Sequence, residues 1–163
     1  MTTARHIHQI KPIYDNKSKV LILGSFPSVS SRKQQFYYSH PQNRFWNLIA
    51  AICGAEKPKT DNEKRGLLLE NEIALWDVIA ECDIRGSSDS TIINVIPNDI
   101  EKIIDNTNLE AIFTNGKKAH ALYQKYILPM VGINAVCLPS TSPANAAYSF
   151  EMLYECWREI KNI

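Results

Sequence analysis

Four short apolar runs, each stopped at a turn, limit what this chain can fold into. "SKVLILG" (residues 18–24) is apolar at consecutive positions and ends at a glycine. A strand with one face in water alternates apolar and polar side chains, so a short continuous run describes a strand buried on both faces. "EAIFTNG" (110–116) and "INAVCLPS" (133–140) repeat the form, and "EIALWDV" (72–78) supplies a fourth strand.

Helical periodicity fills the intervals. Phe45, Leu48, Ile49 and Ile52 share one face of a helix running to about Gly54. Asn98 is placed to cap a helix carrying Ile100, Ile103 and Ile104, and Ala119, Leu122, Tyr123 and Tyr126 form a further stripe. The last helix is expected to open at Ser142-Pro143, a cap followed by proline at the first helical position, with Phe150, Leu153, Tyr154, Trp157 and Ile160 as its buried stripe. Strands alternating with helices predict an α/β fold, a three-layer α/β/α sandwich around a short, mainly parallel sheet. The 163 residues suit one domain, 1–163, with residues 1–17 read as an irregular N-terminal extension.

In such sheets ligands bind beyond the carboxyl ends of the strands. Three loops leave those ends carrying unusual chemistry: residues 24–43, Asn115-Gly116, and residues 139–145. They are expected to meet in space.

Net charge is +1, so a nucleic acid partner would have to be met by a local cluster, for which Arg32-Lys33, Arg44, Lys64-Arg65 and Lys117-Lys118 are the candidates. No segment has the length of a signal peptide or a membrane span, and the chain is read as cytosolic. Cys53, Cys82, Cys137 and Cys156 stand apart without a CxxC pair, the pattern of free buried thiols rather than a metal site. His6 and His8 are read as part of a frayed terminus.

The first loop, "GSFPSVSSRKQQFYYSHPQN", is neither a phosphate-cradling loop nor a nucleophile elbow, since neither spacing is present. Phe36, Tyr37 and Tyr38 cannot all point into one core, so at least one lines a cleft or is exposed; a ring there suits stacking on a planar ligand. Asn43 donates and accepts without charge, and could orient a water, read a base edge, or cap the helix that follows. In "LPSTSPAN" (138–145), three hydroxyls precede a helix start, an arrangement that binds an anion or caps itself.

Taken in order, "LGSFPS", "YYSHPQNRFW", "LWDVIAECDIRGSSDSTI", "TNG" and "LPSTSPAN" resemble the uracil-DNA glycosylase superfamily, most closely its hypoxanthine-DNA glycosylase branch, and also the mismatch-specific uracil glycosylases. The resemblance implies a DNA repair enzyme that flips a deaminated base, hypoxanthine above all, out of the helix and cleaves its N-glycosidic bond. It implies no metal, no cofactor and no covalent nucleophile. Uracil-specific members carry Asp or Asn two residues after the turn glycine; here that residue is Phe26, which can neither place nor activate water. The catalytic carboxamide is therefore expected from Asn43. Tyr38 would cover the base, Ser25, Phe26 and Asn115 would contact its edge, and Ser140, Thr141, Ser142 and Asn145 would hold the DNA backbone. Ser87-Ser88-Asp89 is a candidate pocket wall or a solvated turn. The resemblance implies DNA containing a deaminated base as the partner, and a monomer is expected to meet it.

Overall fold

The computed structural model describes residues 3–162. Across them the chain forms β1 (Ala4–Ile7), β2 (Val20–Gly24), α1 (Val29–Gln34), α2 (Phe45–Cys53), α3 (Asp61–Glu70), β3 (Ile73–Asp77), β4 (Ile79–Arg85) and β5 (Ser88–Pro97). There follow α4 (Ile100–Asp105), β6 (Ala111–Asn115), α5 (Lys117–Tyr126), α6 (Leu128–Val131), β7 (Ala135–Leu138) and α7 (Phe150–Trp157), which runs into a 3₁₀ turn at Arg158–Lys161.

The four apolar runs are the four strands of one parallel sheet, in the order β3-β2-β6-β7. Successive side chains of β2 leave opposite faces, and both faces are covered. Val20 and Ile22 pack with Phe45, Leu48 and Ile49 of α2, Leu68 of α3, and Leu153 and Trp157 of α7. Leu21 and Leu23 pack with Ile100 and Ile103 of α4 and Leu122 and Tyr123 of α5. Each such leucine contributes about 1.5–3 kcal/mol of burial, and truncation to alanine at Leu21 or Leu23 would cost about 2–5 kcal/mol.

The chain leaves β2 toward β3 on one side, then crosses back to β6 on the other. The carboxyl ends of β2 and β6 are therefore the topological switch point, where the crevice of an open α/β sheet opens. Gly24 ends β2 in register with Asp77 at the end of β3, and Asn115 ends β6 in register with Leu138.

Four expectations need correction. Residues 79–97, for which no element is predicted, form β4 and β5, and β1 pairs with β4 from the other side, giving a second, antiparallel sheet β1-β4-β5. The N-terminal segment, expected to be irregular, thus holds β1, and Ile13 also bridges to Leu75, while the rest of residues 8–17 is without regular structure. The last helix opens at Phe150 with Ser149 as its cap, the Ser149 side chain accepting from the Met152 N–H, so Ser142-Pro143 lies in a loop. Asp99, not Asn98, caps α4. The Asn98 amide instead donates to the carbonyls of Asp77 and Ile79, tying the two sheets where β3 gives way to β4. Of the cysteines only Cys82 is fully buried, and Cys137 is exposed.

Candidate active site

A cavity of about 380 Å³ lies at the switch point, within the ~300–1,000 Å³ range of small-ligand sites. The three loops meet there: Gly24 to Ser28 with Tyr37, Tyr38, His40 and Asn43 from the first, Asn115 from the second, and Ser140 to Ala144 from the third. Asp77, Ser87 and Asp89 complete the wall. The Ser87-Asp89 turn is thus a pocket wall. Asp77 went unread in the sequence, where it looked like the polar end of a strand.

Three side chains tie the loops together. The Asn115 Oδ1 accepts the backbone N–H of Thr141 at 3.0 Å, which turns its Nδ2 toward the Thr141 hydroxyl at 3.1 Å. That hydroxyl, already accepting, sends its own proton to the Asn43 Oδ1 at 2.9 Å. The same Oδ1 accepts the Phe45 N–H at 3.0 Å. Each amide orientation is fixed by a backbone N–H, which can only donate. Asn43 therefore turns the start of α2 with its oxygen, and its Nδ2 is left as a donor at the cavity. The expected helix cap is not formed: Arg44 occupies the N-cap position of α2 with no side-chain cap, and the Asn43 oxygen instead makes a turn bond to the first helical residue.

Thr141 is fully buried, and both hydrogen-bonding directions of its hydroxyl are used. It therefore has no side-chain contact to offer a phosphate and is corrected to a link in this chain of bonds. Ser140 and Ser142 accept locally from the N–H groups of Ser142 and Ala144, and the Asn145 amide donates to the Ser140 carbonyl at 3.0 Å. These are the self-capping contacts of a loop; the two serine protons stay free to donate. The helix-start anion site expected at residues 142–143 is absent, because α7 starts beyond Tyr148.

Arg44 holds this loop in place. Its backbone N–H donates to the Thr141 carbonyl, and its guanidinium donates to the carbonyls of Ser142, Asn145 and Tyr148. A planar five-donor fork is the group suited to gather several carbonyls. Other basic candidates are also engaged internally: Arg32 donates to the carbonyls of Pro27 and Gly86, while Lys64 lies over the rings of Phe36 and Trp46.

Of the three consecutive aromatics, Phe36 and Tyr37 are buried in the core, Tyr37 also touching the cavity wall, and Tyr38 lines the cavity. Tyr38 stacks on Phe45 with ring centroids 4.2 Å apart, and its backbone sits at φ 53°, uncommon for a residue with a side chain. Its hydroxyl is buried without a hydrogen-bond partner among the described residues. Burial, with Asp77 nearby, pushes that hydroxyl well above the usual phenol range. Gly24 permits this crowding: a Cβ there would stand 2.4 Å from Asp77 Oδ1 and 2.9 Å from the Tyr38 hydroxyl.

Ser25 donates to Asp89 Oδ1 at 3.0 Å, joining the first loop to the β4–β5 turn. Desolvation raises the proton affinity of Asp89 above the ordinary carboxylate value, against the Ser25 hydrogen bond and Lys118, while the charge of Asp77 acts with it. Phe26 is buried, its ring edge-on to His8 at 6.0 Å. His8 is not in a frayed end: its side chain is 1% exposed and its Nε2 lies 2.8 Å from Asp77 Oδ2.

Comparison with known proteins was made against this geometry. Residues 12–161 match the family model described as the uracil DNA glycosylase superfamily. A hypoxanthine DNA glycosylase of Methanosarcina barkeri is 37% identical over 137 residues, which cover 82% of this chain and 85% of the relative. That of Methanosarcina acetivorans is 36% identical over 139 residues, 84% and 87% of the two chains. The solution NMR structure of a candidate uracil DNA glycosylase from Methanosarcina acetivorans superposes with a TM-score of 0.78 at 32% identity, covering 93% of this chain and 96% of the other.

Proposed function

The chain belongs to the uracil DNA glycosylase superfamily, and we propose that it is a hypoxanthine DNA glycosylase, hydrolysing the N-glycosidic bond of deoxyinosine in DNA to leave an abasic site. The observation that carries this reading is identity above one third, over most of both chains, to two hypoxanthine DNA glycosylases. The cavity supports it. A base buried in duplex DNA must be extruded before its bond to the sugar can be reached. The cavity offers a ring, two amides and polar backbone, which suit a flat heterocycle edged with donors and acceptors.

In the reaction, water adds to C1′ of the sugar as the C1′–N9 bond breaks. The bonding electron pair leaves with the base, which departs as an anion and is then protonated. The sugar passes through oxocarbenium character. Asn43 is the catalytic residue: its Nδ2, held by the oxygen-side bonds to Phe45 and Thr141, donates to the attacking water or to charge developing on the base. Such a donor needs no reorganisation during reaction and is worth more away from bulk water. Tyr38 covers the base with the ring face not packed on Phe45. Ser25 and Phe26 meet the base edge through backbone groups. Asn115 acts on the site through Thr141. Ser140, Ser142 and Asn145 form the lip over which the DNA backbone passes. The enzyme acts as a cytosolic monomer without metal or cofactor.

Single-turnover excision from a deoxyinosine duplex, read as strand cleavage at the abasic site, tests this. Release of hypoxanthine faster than uracil is expected, and full activity in excess EDTA. A faster reaction on a uracil mismatch would move the chain to the mismatch-uracil branch, and no release of either base would leave a binding module.

A further inference from the structure

The His8–Asp77 pair lies outside everything the reaction above uses. It joins residues 69 positions apart, His8 beyond the end of β1 and Asp77 at the end of β3. The side chains are 1% and 5% exposed. A carboxylate so buried is costly unless its oxygens are satisfied. Oδ2 has His8; Oδ1 has no donor among the described residues, and it lies over Gly24 in the cavity wall. Among the described residues Oδ1 is thus an acceptor with no protein donor, and it is open to the cavity, where a donor on the ligand can meet it.

We propose that His8 is a positioning residue for base selection: by holding Oδ2 it fixes Asp77 with Oδ1 toward the pocket, where that oxygen accepts the ring N–H of a lactam base. This rests on the glycosylase reading of the cavity. Deamination of adenine converts a bare ring nitrogen, an acceptor, into an N–H donor beside a carbonyl. In the same pose adenine turns a lone pair toward the carboxylate, so the fixed acceptor rejects the normal base and admits the deaminated one. His8 has a second effect. The leaving base gains negative charge, which a carboxylate at its edge would oppose. Donation from His8 draws the charge of Asp77 toward Oδ2, away from the base.

The pair makes an unusual prediction for asparagine. In Asp77→Asn a His8 that keeps its Nε2–H still requires an oxygen, so the carboxamide turns its NH₂ toward the pocket and presents a donor to a donor; an imidazole that moves its proton to Nδ1 instead accepts from the carboxamide and leaves its oxygen facing the pocket. Deoxyinosine excision should fall at least about 100-fold. Removing His8 as well frees the carboxamide to rotate, so His8→Ala with Asp77→Asn should excise at least about tenfold faster than Asp77→Asn alone. A merely structural His8 cannot produce that recovery. The single variant His8→Gln, which keeps a side-chain N–H donor, should stay closer to wild type than His8→Ala. Thermal melts accompany each variant, and His8→Leu replaces His8→Ala if the smaller side chain leaves the protein unfolded. With Asp77→Asn impaired, a folded double variant no faster than it overturns the proposal; whatever the Asp77→Asn rate, a folded His8→Ala enzyme with the wild-type rate on deoxyinosine overturns it as well. A wild-type protein that releases no hypoxanthine instead overturns the glycosylase reading, so the two failures are distinct.

Discussion

At the scale of single residues, Asn43 carries a structural and a catalytic task on different atoms. Asn43→Ser keeps an oxygen able to accept from the start of α2 and loses the amide donor. It should melt within a few degrees of wild type, bind duplex DNA comparably, and excise roughly 100- to 1000-fold more slowly, as for one lost preorganised contact of about 3–4 kcal/mol. Asn43→Ala should also lose about 1 kcal/mol of stability with the bonds from Phe45 and Thr141. An active Asn43→Ser enzyme would reduce this residue to a structural one. Tyr38 separates in a similar way. Its hydroxyl is buried with no hydrogen bond of good geometry among the described residues, the Asn115 side chain being its polar neighbour, so Tyr38→Phe removes an uncompensated desolvation and should melt no lower than wild type. The ring remains, and excision should remain with it. Tyr38→Ala loses stacking worth ~1–3 kcal/mol, about 5- to 150-fold in rate. Equal losses in the two variants would show that the hydroxyl, rather than the ring, meets the base.

Among the elements, the loop after β7 shows how one side chain fixes a segment without secondary structure. Arg44 reaches it from the start of α2 and collects the carbonyls of Ser142, Asn145 and Tyr148. Lysine has the charge but not the fork. Arg44→Lys should therefore leave most of the fold, lower the melting temperature by several degrees, and expose residues 139–149 to proteolysis and amide exchange well before the sheet. Protection of that loop equal to wild type would show that Asn115 and Thr141 suffice to hold it. The same loop marks where the sequence stopped being legible. The four parallel strands were readable because burial on both faces leaves an unbroken apolar run, and the loops at their carboxyl ends located the cavity. The start of α7 was misplaced because Ser142-Pro143 has the chemistry of a helix opening, while the arginine that captures the loop instead lies 98 positions away. β4 and β5 were missed because irregular register and polar exposed positions leave no clean alternation. Asp77 and His8 were missed for a related reason: each is ordinary in its own segment, and only the pairing of β1 against β4 brings them together.

Taken whole, the molecule is nearly neutral at +1 and spends several of its cations internally. Arg32 and Arg44 bind carbonyls, and Lys64 and Arg65 lie over aromatic rings. Of the clustered basic residues singled out in the sequence, that leaves Lys33, Lys117 and Lys118 to meet DNA. Lys117 and Lys118 open α5 directly after Asn115-Gly116, beside the cavity, and Lys118 is near enough to Asp89 to lower its proton affinity. Duplex affinity should therefore fall only gently with salt. Each phosphate neutralised contributes a slope of about −0.9 in log affinity against log salt, and two or three contacts give roughly −2 to −3. Lys117→Ala with Lys118→Ala should flatten that slope by about 1.8, twice the single-phosphate value. The measurement is a series of fluorescence-anisotropy titrations on one deoxyinosine duplex at increasing salt. A wild-type slope steeper than about −5 would mean that a wider basic surface meets the duplex. An unchanged slope in the double variant would mean that the phosphates are held by the neutral donors of the lip, the Ser140 and Ser142 hydroxyls, rather than by the two lysines.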